Sequence, residues 1–145
     1  MSMENSVRLI KKVHPTSVVL VKVGKFYQCF DKDAYIVAGM FDYKLRKDKY
    51  VSCGFPLSAL NKVKVELEKE KVDYIVVDKR NEYEVICKEE FKKENKYEEM
   101  FAIGKMQELI KERVEKINKY IIDNITNEEV VKKIKKLEEV LYEEW

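Results

Sequence analysis

The stretch Val18-Val-Leu-Val-Lys-Val-Gly24-Lys-Phe-Tyr-Gln-Cys-Phe30 decides the fold of this 145-residue chain. Its first residues are nearly all apolar and β-branched, which is typical of a strand covered on both faces. Gly24 and Lys25 then predict a tight turn into a second strand, so we expect a β-hairpin. Residues two apart on a strand point to the same face, and this rule places Phe26 and Gln28 side by side.

Further strands and helices alternate after this hairpin. We expect helices over residues 4–12, 32–43 and 59–71, and strands over residues 50–55, 72–78 and 83–87, with a basic loop over residues 44–49. Asp31 and Ser58 are expected to cap the helices that follow them. Because two of the connections are hairpins and the others carry helices, the sequence predicts a mixed central sheet flanked by helices.

The pattern changes in the C-terminal third of the chain. From Ile103 to Ile125 apolar residues recur every three or four positions, and Thr126-Asn-Glu-Glu129 has the form of a capping box that begins another helix. We therefore predict an α/β domain over residues 1–101 and a helical hairpin over residues 102–145. The apolar face of that hairpin needs a cover, so we expect a homodimer or a partner protein to use residues 103–145.

Composition and cysteine usage limit the class of protein. The chain is 46% hydrophobic and 39% charged, as in globular proteins, and it has no apolar run long enough for a membrane span or a signal peptide. We therefore expect a cytoplasmic protein. The sequence predicts neither a zinc site nor a disulfide framework, because its three cysteines and single histidine are widely scattered: Cys29, Cys53, Cys87 and His14. We interpret the thiols as buried and reduced.

Sequence signatures of catalysis are missing. The chain contains no Gly-x-Gly-x-x-Gly, no phosphate-binding loop ending in Gly-Lys-Ser/Thr, no His-Glu-x-x-His and no Gly-x-Ser-x-Gly. We expect no catalytic residue, cofactor, metal or small-molecule substrate. The acids that follow strands or begin helices are interpreted as helix caps and solvated strand ends: Asp31, Asp33, Asp73 and Asp78.

Positive charge is concentrated at the N-terminal end. Residues 1–49 contain ten Lys or Arg and five Asp or Glu, so this third of the chain carries +5 and the remainder −3. Such an asymmetry is typical of a surface that binds phosphates, and it also occurs where lysines are merely solvated. Both interpretations stay open from charge alone.

The order of residues from Val18 to Ala38 resembles the first, mismatch-recognition domain of the bacterial DNA mismatch repair protein MutS. In that family an apolar strand leads into Gly-Asp-Phe-Tyr-Glu-x-Phe and then into a helix containing Asp-Ala, as at Asp33-Ala34. Cys53-Gly-Phe-Pro-Leu-Ser-Ala-Leu60 is similar to the family's Ala-Gly-Ile/Val-Pro-Tyr-His-Ala turn. The resemblance covers roughly residues 7–90.

The resemblance implies a site that binds duplex DNA, with mismatched or distorted duplex as its target. Phe26 matches the phenylalanine that enters the minor groove and stacks on a mispaired base, and Gln28 stands where the family has a glutamate. Lys25 replaces an aspartate, and we expect Lys25, Arg46 and Lys47 to contact phosphates. These departures weaken base discrimination more than attraction to the backbone. Because a lone domain touches only a few phosphates, DNA binding by this chain alone is expected to be weak.

Two questions stay open, one about Phe26 and one about the role of the chain. Phe26 is either the wedge or an ordinary core aromatic. The chain is either a DNA-binding module or a protein–protein adaptor that kept the fold and lost DNA binding, and a third option is an enzyme subunit whose chemistry lies in a partner chain. Because residues 102–145 cannot hold the connector, lever, clamp and ATPase domains of MutS, we expect a stand-alone relative without ATPase activity.

Overall fold

The computed structural model describes residues 2–143, and a six-stranded sheet forms their centre. The strands are β1 (Val18–Val23), β2 (Phe26–Phe30), β3 (Arg46–Lys47), β4 (Val51–Pro56), β5 (Tyr74–Asp78) and β6 (Glu84–Glu89). Their order is β3-β4-β2-β1-β5-β6, with β1 and β5 parallel and the other neighbours antiparallel. The predicted mixed sheet is confirmed.

The helices of the described chain flank this sheet or follow it. They are α1 (Met3–Val13), α2 (Lys32–Phe41), α3 (Leu60–Lys69), α4 (Tyr97–Asp123) and α5 (Glu128–Leu141). The predicted pair of C-terminal helices is confirmed, although α4 begins six residues before Ile103. Within residues 2–143 no helix combines the length and the apolar character that a membrane span requires.

Alternate residues of the buried strands form two separate cores. On one face of the sheet Val18, Leu20, Cys29 and Phe55 pack with α2, α3 and Tyr97. On the other face the core residues are Val19, Val21, Ile75 and Val77, and Val7 of α1 covers them. Phe30 of β2 also packs against this second core, whereas Phe26, Gly54 and Pro56 nearer the hairpin turn are exposed on the same face of the sheet.

The β1–β2 hairpin has a two-residue turn. Gly24 at the first turn position has a φ of +60°, while Lys25 does not have a positive φ, and this sign pattern is that of a type II′ turn. The backbone N–H of Leu57 donates a hydrogen bond to the carbonyl oxygen of Lys25 at 3.2 Å. The turn is therefore attached to the end of β4 as well as to its own strands.

Three predicted helix caps were wrong. Asp31 precedes α2, but its φ of 51° lies outside the extended region that a capping residue normally adopts, and its side chain makes no capping hydrogen bond. A short 3₁₀ turn over Leu57–Ala59 separates Ser58 from α3, so that Ala59 takes the capping position. Asn127, and not Thr126, accepts a hydrogen bond from the N–H of Glu129 to cap α5.

The chain divides into two compact units, the first ending at Glu108 and the second beginning at Leu109. The helix α4 spans this junction. The predicted boundary between residues 101 and 102 stays a prediction about folding units. In the second unit Val130 is buried, while most other apolar side chains of α5 are exposed.

Candidate nucleic-acid interface

Phe26 lies at the end of the β1–β2 hairpin with 53% of its surface exposed, and it belongs to neither core. Its neighbour Tyr27 points to the opposite face, where it is buried and stacks on Phe55 with 5.7 Å between ring centroids. The alternation of β2 therefore uses Tyr27 as the core aromatic and presents Phe26 to solvent. Of the two interpretations of Phe26, the core aromatic is excluded.

Gln28 follows Phe26 on the same face of the sheet and is half-buried. Its cross-strand neighbours are Val21 on β1 and Gly54 on β4. Within the described part of the chain its side-chain amide makes no hydrogen bond, so both its donor and its acceptor are available to a ligand. Phe26 and Gln28 thus form an adjacent aromatic and amide pair.

These two residues belong to a longer strip that is exposed toward the hairpin turn and half-buried at its other end, where Phe30 packs against the second core. The register pairs Phe26 with Pro56, Gln28 with Gly54 and Phe30 with Ser52, and we call these six residues the β2–β4 face. Gly54 and Pro56 are exposed, and Ser52 is half-buried. The side chains beside Phe26 are therefore small, and a ligand that approaches this end of the strip meets little steric obstruction.

The three predicted phosphate-binding residues are not brought together. Lys25 is exposed beside Phe26, and its side chain makes no ion pair within residues 2–143. Arg46 pairs with Ser52 on the same face, but four residues along β4 from Pro56, a displacement of roughly 13 Å. Its guanidinium lies 3.6 Å from a carboxylate oxygen of Asp48, and both side chains are well exposed.

Lys47 lies on the opposite face of the sheet. It pairs with Val51, and its ammonium is 2.7 Å from a carboxylate oxygen of Glu108 on α4. Of the five predicted site residues, Phe26, Gln28 and Arg46 therefore share one face of the sheet, Lys25 lies in the turn beside Phe26, and Lys47 is on the opposite face.

Comparison with known proteins identifies the family of the chain. The family model of MutS domain I matches residues 1–134 of the chain. The chain belongs to the MutS domain I family. It is also 41% identical over 46 residues to the DNA mismatch repair protein MSH6 of Arabidopsis thaliana, a match that covers 32% of this chain and 4% of that protein. The chain thus spans a small part of the length of the curated relative that it matches.

The sequence analysis missed a buried polar network in this MutS domain I chain. The Lys11 ammonium donates to Asp33 Oδ1 at 2.9 Å, to the carbonyl oxygen of Ser17 at 2.7 Å and to the Tyr97 hydroxyl at 3.2 Å. The Tyr97 hydroxyl donates a short hydrogen bond to Asp33, and the N–H of Val19 donates to its other oxygen at 3.0 Å. The network ties α1, α2 and α4 to the central strand β1.

Burial controls the protonation of this network. It raises the pKa of Asp33, whose side chain is 1% exposed, while the Lys11 charge and the Tyr97 hydroxyl act in the opposite direction. Burial and then the Asp33 charge raise the pKa of Tyr97. The expectation that the acids are caps and solvated strand ends holds for Asp78, which caps the turn after β5, but is wrong for Asp33 and Asp73, since both carboxylates are buried.

A cleft of about 240 Å³ lies beside this network, at the far end of β2 from Phe26. Its lining includes Arg8, Lys11, Phe30, Asp33 and Tyr50. The cleft mixes acidic, basic and aromatic groups and therefore selects no single class of ligand. Residues 2–143 also contain no group of three or more His, Cys, Asp or Glu side chains that could hold a metal ion.

Proposed function

We propose that this MutS domain I protein binds duplex DNA through the β2–β4 face, with Phe26 entering the minor groove. The observation that carries the proposal is the exposure of Phe26, a large aromatic at the end of a rigid hairpin and outside both cores. Family membership supports the proposal, and so does the match to a DNA mismatch repair protein. We propose no ATPase activity for this chain, because it lacks a phosphate-binding loop.

The chemistry of each group suggests its role. An apolar wedge in the minor groove partly unstacks a base step, and this costs least where a mispair has already weakened stacking. The minor groove presents acceptors on every base and a donor on guanine alone. The Gln28 amide both donates and accepts, so it satisfies any base without demanding one sequence. Mispaired or distorted duplex is therefore the proposed target.

The positions of the basic residues set the strength of binding. Lys25 in the hairpin turn and Arg46 on β3 beside Ser52 are the predicted phosphate ligands, whereas Lys47 faces the other side and is paired with Glu108. Two neutralised phosphates give a slope of about −1.8 in a plot of log K against log salt concentration. So small an electrostatic contribution makes weak binding the expectation.

Fluorescence anisotropy tests the proposal. The full chain is titrated into labelled matched duplex, mismatched duplex and single strand at several salt concentrations. Loss of one stacked base costs about 1–3 kcal/mol, so Phe26→Ala should weaken mismatch binding roughly 5- to 150-fold. Tyr120→Ala, which removes an aromatic of similar exposure from the second unit, is the matched control and should bind as the wild type does.

The outcomes separate the parts of the proposal. If none of the three DNAs binds the wild-type chain at low salt, the DNA-binding function is wrong. If DNA binds but Phe26→Ala and Tyr120→Ala behave alike, the wedge is wrong and only a basic surface remains. A preference for mismatched over matched duplex that Phe26→Ala abolishes is the result we expect.

The second candidate function is a protein–protein adaptor, and the exposed apolar side chains of the second unit favour it. On α5 these are Val131, Leu137, Val140 and Leu141. Sedimentation velocity of the full chain over a wide concentration range, beside a Leu137→Lys/Val140→Lys variant, tests this role. Self-association that the double variant abolishes would support a homodimer through residues 103–145. A monomer at every concentration would contradict that homodimer.

A further inference from the structure

Two cysteine side chains meet inside the first core, between β2 and β4. Cys29 and Cys53 are direct cross-strand partners, and they are 0% and 1% exposed. The Cys29 thiol lies 3.6 Å from the carbonyl oxygen of Cys53. Directly opposed residues of antiparallel strands have Cα atoms about 4.5–5.5 Å apart, which is within the separation that a disulfide spans.

We propose that Cys29 and Cys53 form an oxidation site at which a peroxide converts the two thiols into a cross-strand disulfide. The inference rests on the strand register that opposes Cys29 to Cys53 and on their shared place in the first core, and it does not depend on DNA binding. Disulfides in a reducing compartment are usually transient and redox-sensing, and this is the class of modification we assign to the pair.

The two thiols differ in acidity, and this difference determines which of them reacts first with the peroxide. The neighbouring Cys29 side chain lowers the pKa of Cys53, with burial acting in the opposite direction. The interaction with the Cys53 side chain, together with burial, raises the pKa of Cys29. The thiolate is the nucleophilic form of cysteine, so Cys53 is the thiol that reacts first.

The step balances with hydrogen peroxide as the oxidant. The Cys53 thiolate attacks one peroxide oxygen, the O–O bond breaks, and the leaving hydroxide takes up the proton that Cys53 had released, giving a sulfenic acid and one water. The Cys29 sulfur then attacks the Cys53 sulfur, the S–O bond breaks, and the departing oxygen takes the Cys29 proton to leave as a second water. The two sulfurs supply the two electrons that reduce the peroxide.

The third cysteine is an internal control. Cys87 lies on β6 opposite Val76, is half-buried, and is separated from β2 by β1 and β5. Three strand spacings amount to roughly 14 Å, too far for a disulfide to Cys29. An oxidised chain should therefore contain one specific crosslink and a free Cys87.

The crosslink would change the candidate interface. Cys29 stands between Gln28 and Phe30, and Cys53 is next to Gly54, so the new bond joins the two strands of the β2–β4 face beside its centre. It also closes a covalent loop around α2 and β3. Oxidation should therefore stabilise this part of the fold against chemical denaturation.

Peptide mapping tests the proposal. The full chain is treated with hydrogen peroxide, remaining thiols are alkylated under denaturing conditions, and the protein is cut with trypsin without reduction. We expect peptide Phe26–Lys32 joined to peptide Tyr50–Lys62, with Cys87 alkylated in Asn81–Lys88. The intact chain loses two hydrogen atoms, its urea midpoint rises, and a thiol reductant reverses both changes.

Variants sharpen the result. Cys87→Ser should form the same crosslink in the same yield, whereas Cys29→Ser should leave a Cys53 sulfenic acid that a cyclic 1,3-diketone traps. The proposal is overturned if Cys29 and Cys53 both remain alkylatable after peroxide treatment, or if the main crosslink involves Cys87 or joins two chains. The wild-type map decides the matter even if Cys29→Ser fails to fold.

Discussion

The Lys11→Met substitution tests the buried polar network directly. Methionine keeps most of the length of the lysine side chain but removes the charge that faces Asp33. The carboxylate then retains the Tyr97 hydroxyl and the Val19 N–H, and the carbonyl oxygen of Ser17 loses its 2.7 Å hydrogen bond from the ammonium. An almost fully buried negative charge is left without a counter-ion.

The distance between the charges sets the size of the effect. At 2.9 Å and an effective dielectric constant of about 20, the attraction is about 6 kcal/mol. The Lys11 side chain is 24% exposed and regains hydration when the pair is broken, so the net cost is smaller. Breaking a buried pair typically costs about 3–5 kcal/mol, and we expect about 3 kcal/mol of unfolding free energy here.

Urea denaturation followed by circular dichroism measures this loss. Lys12→Met is the matched control, because it removes a neighbouring exposed lysine from the same helix, and it should change stability by less than about 0.5 kcal/mol. The double variant Lys11→Met/Asp33→Asn leaves neither charge unpaired, so it should recover part of the loss.

The pH dependence adds a second test. Burial raises the pKa of Asp33 in the folded state above its ordinary 3.8, so the folded state binds this proton more tightly. Protonation of Asp33 therefore stabilises the fold. This contribution is fully present below the pKa that Asp33 has in the unfolded state, and it is lost as the pH rises through the pKa of Asp33 in the folded state. Because Lys11 lowers the Asp33 pKa, Lys11→Met raises it further, and its stability deficit should shrink at mildly acidic pH. A deficit below about 1 kcal/mol, or one unchanged by acid, would refute this reasoning.

Three further substitutions test the interface and the packing. Lys25→Gln should reduce the salt slope of DNA binding by about 0.9, whereas Lys47→Gln should leave it unchanged; anisotropy titrations that gave equal changes would contradict the assignment of faces. Gln28→Glu should weaken binding to every duplex at low salt, because it adds a negative charge beside phosphates, and affinity equal to wild type would count against contact at Gln28. Gly104→Ala would place a Cβ atom in steric clash with the carbonyl oxygen of Tyr35. Urea denaturation should therefore show a loss of about 3 kcal/mol or more in unfolding free energy. The control Ala102→Gly on the same helix should cost about 1 kcal/mol.

The features that local sequence determines were predictable. The apolar run, the glycine and the alternation of Phe26, Tyr27 and Gln28 identify the hairpin and put Phe26 and Gln28 on one face. No long-range information enters this inference, because strand alternation is a property of the backbone. The mixed sheet followed in the same way from the sequence of hairpins and helical connections.

The features that depend on distant pairing were not predictable. Arg46 and Lys47 are adjacent in sequence, and only the register of β3 against β4 shows that they face opposite sides. Lys11, Asp33 and Tyr97 meet although 86 positions separate the first from the last. Asp31 precedes a helix as a capping residue should, but its positive φ was not evident from residue type.

The type II′ turn that carries Phe26 has a thermodynamic consequence. A residue on a long loop must lose backbone freedom when it meets a ligand, and this ordering opposes binding. Phe26 follows a two-residue turn between a central strand and its neighbour, and the Leu57–Lys25 hydrogen bond fastens that turn to β4. Most of the backbone freedom of Phe26 is therefore already lost once the chain has folded. Under the proposed function, Phe26 should remain in position for DNA until the whole sheet unfolds, so DNA binding and folded structure should be lost at the same temperature on heating.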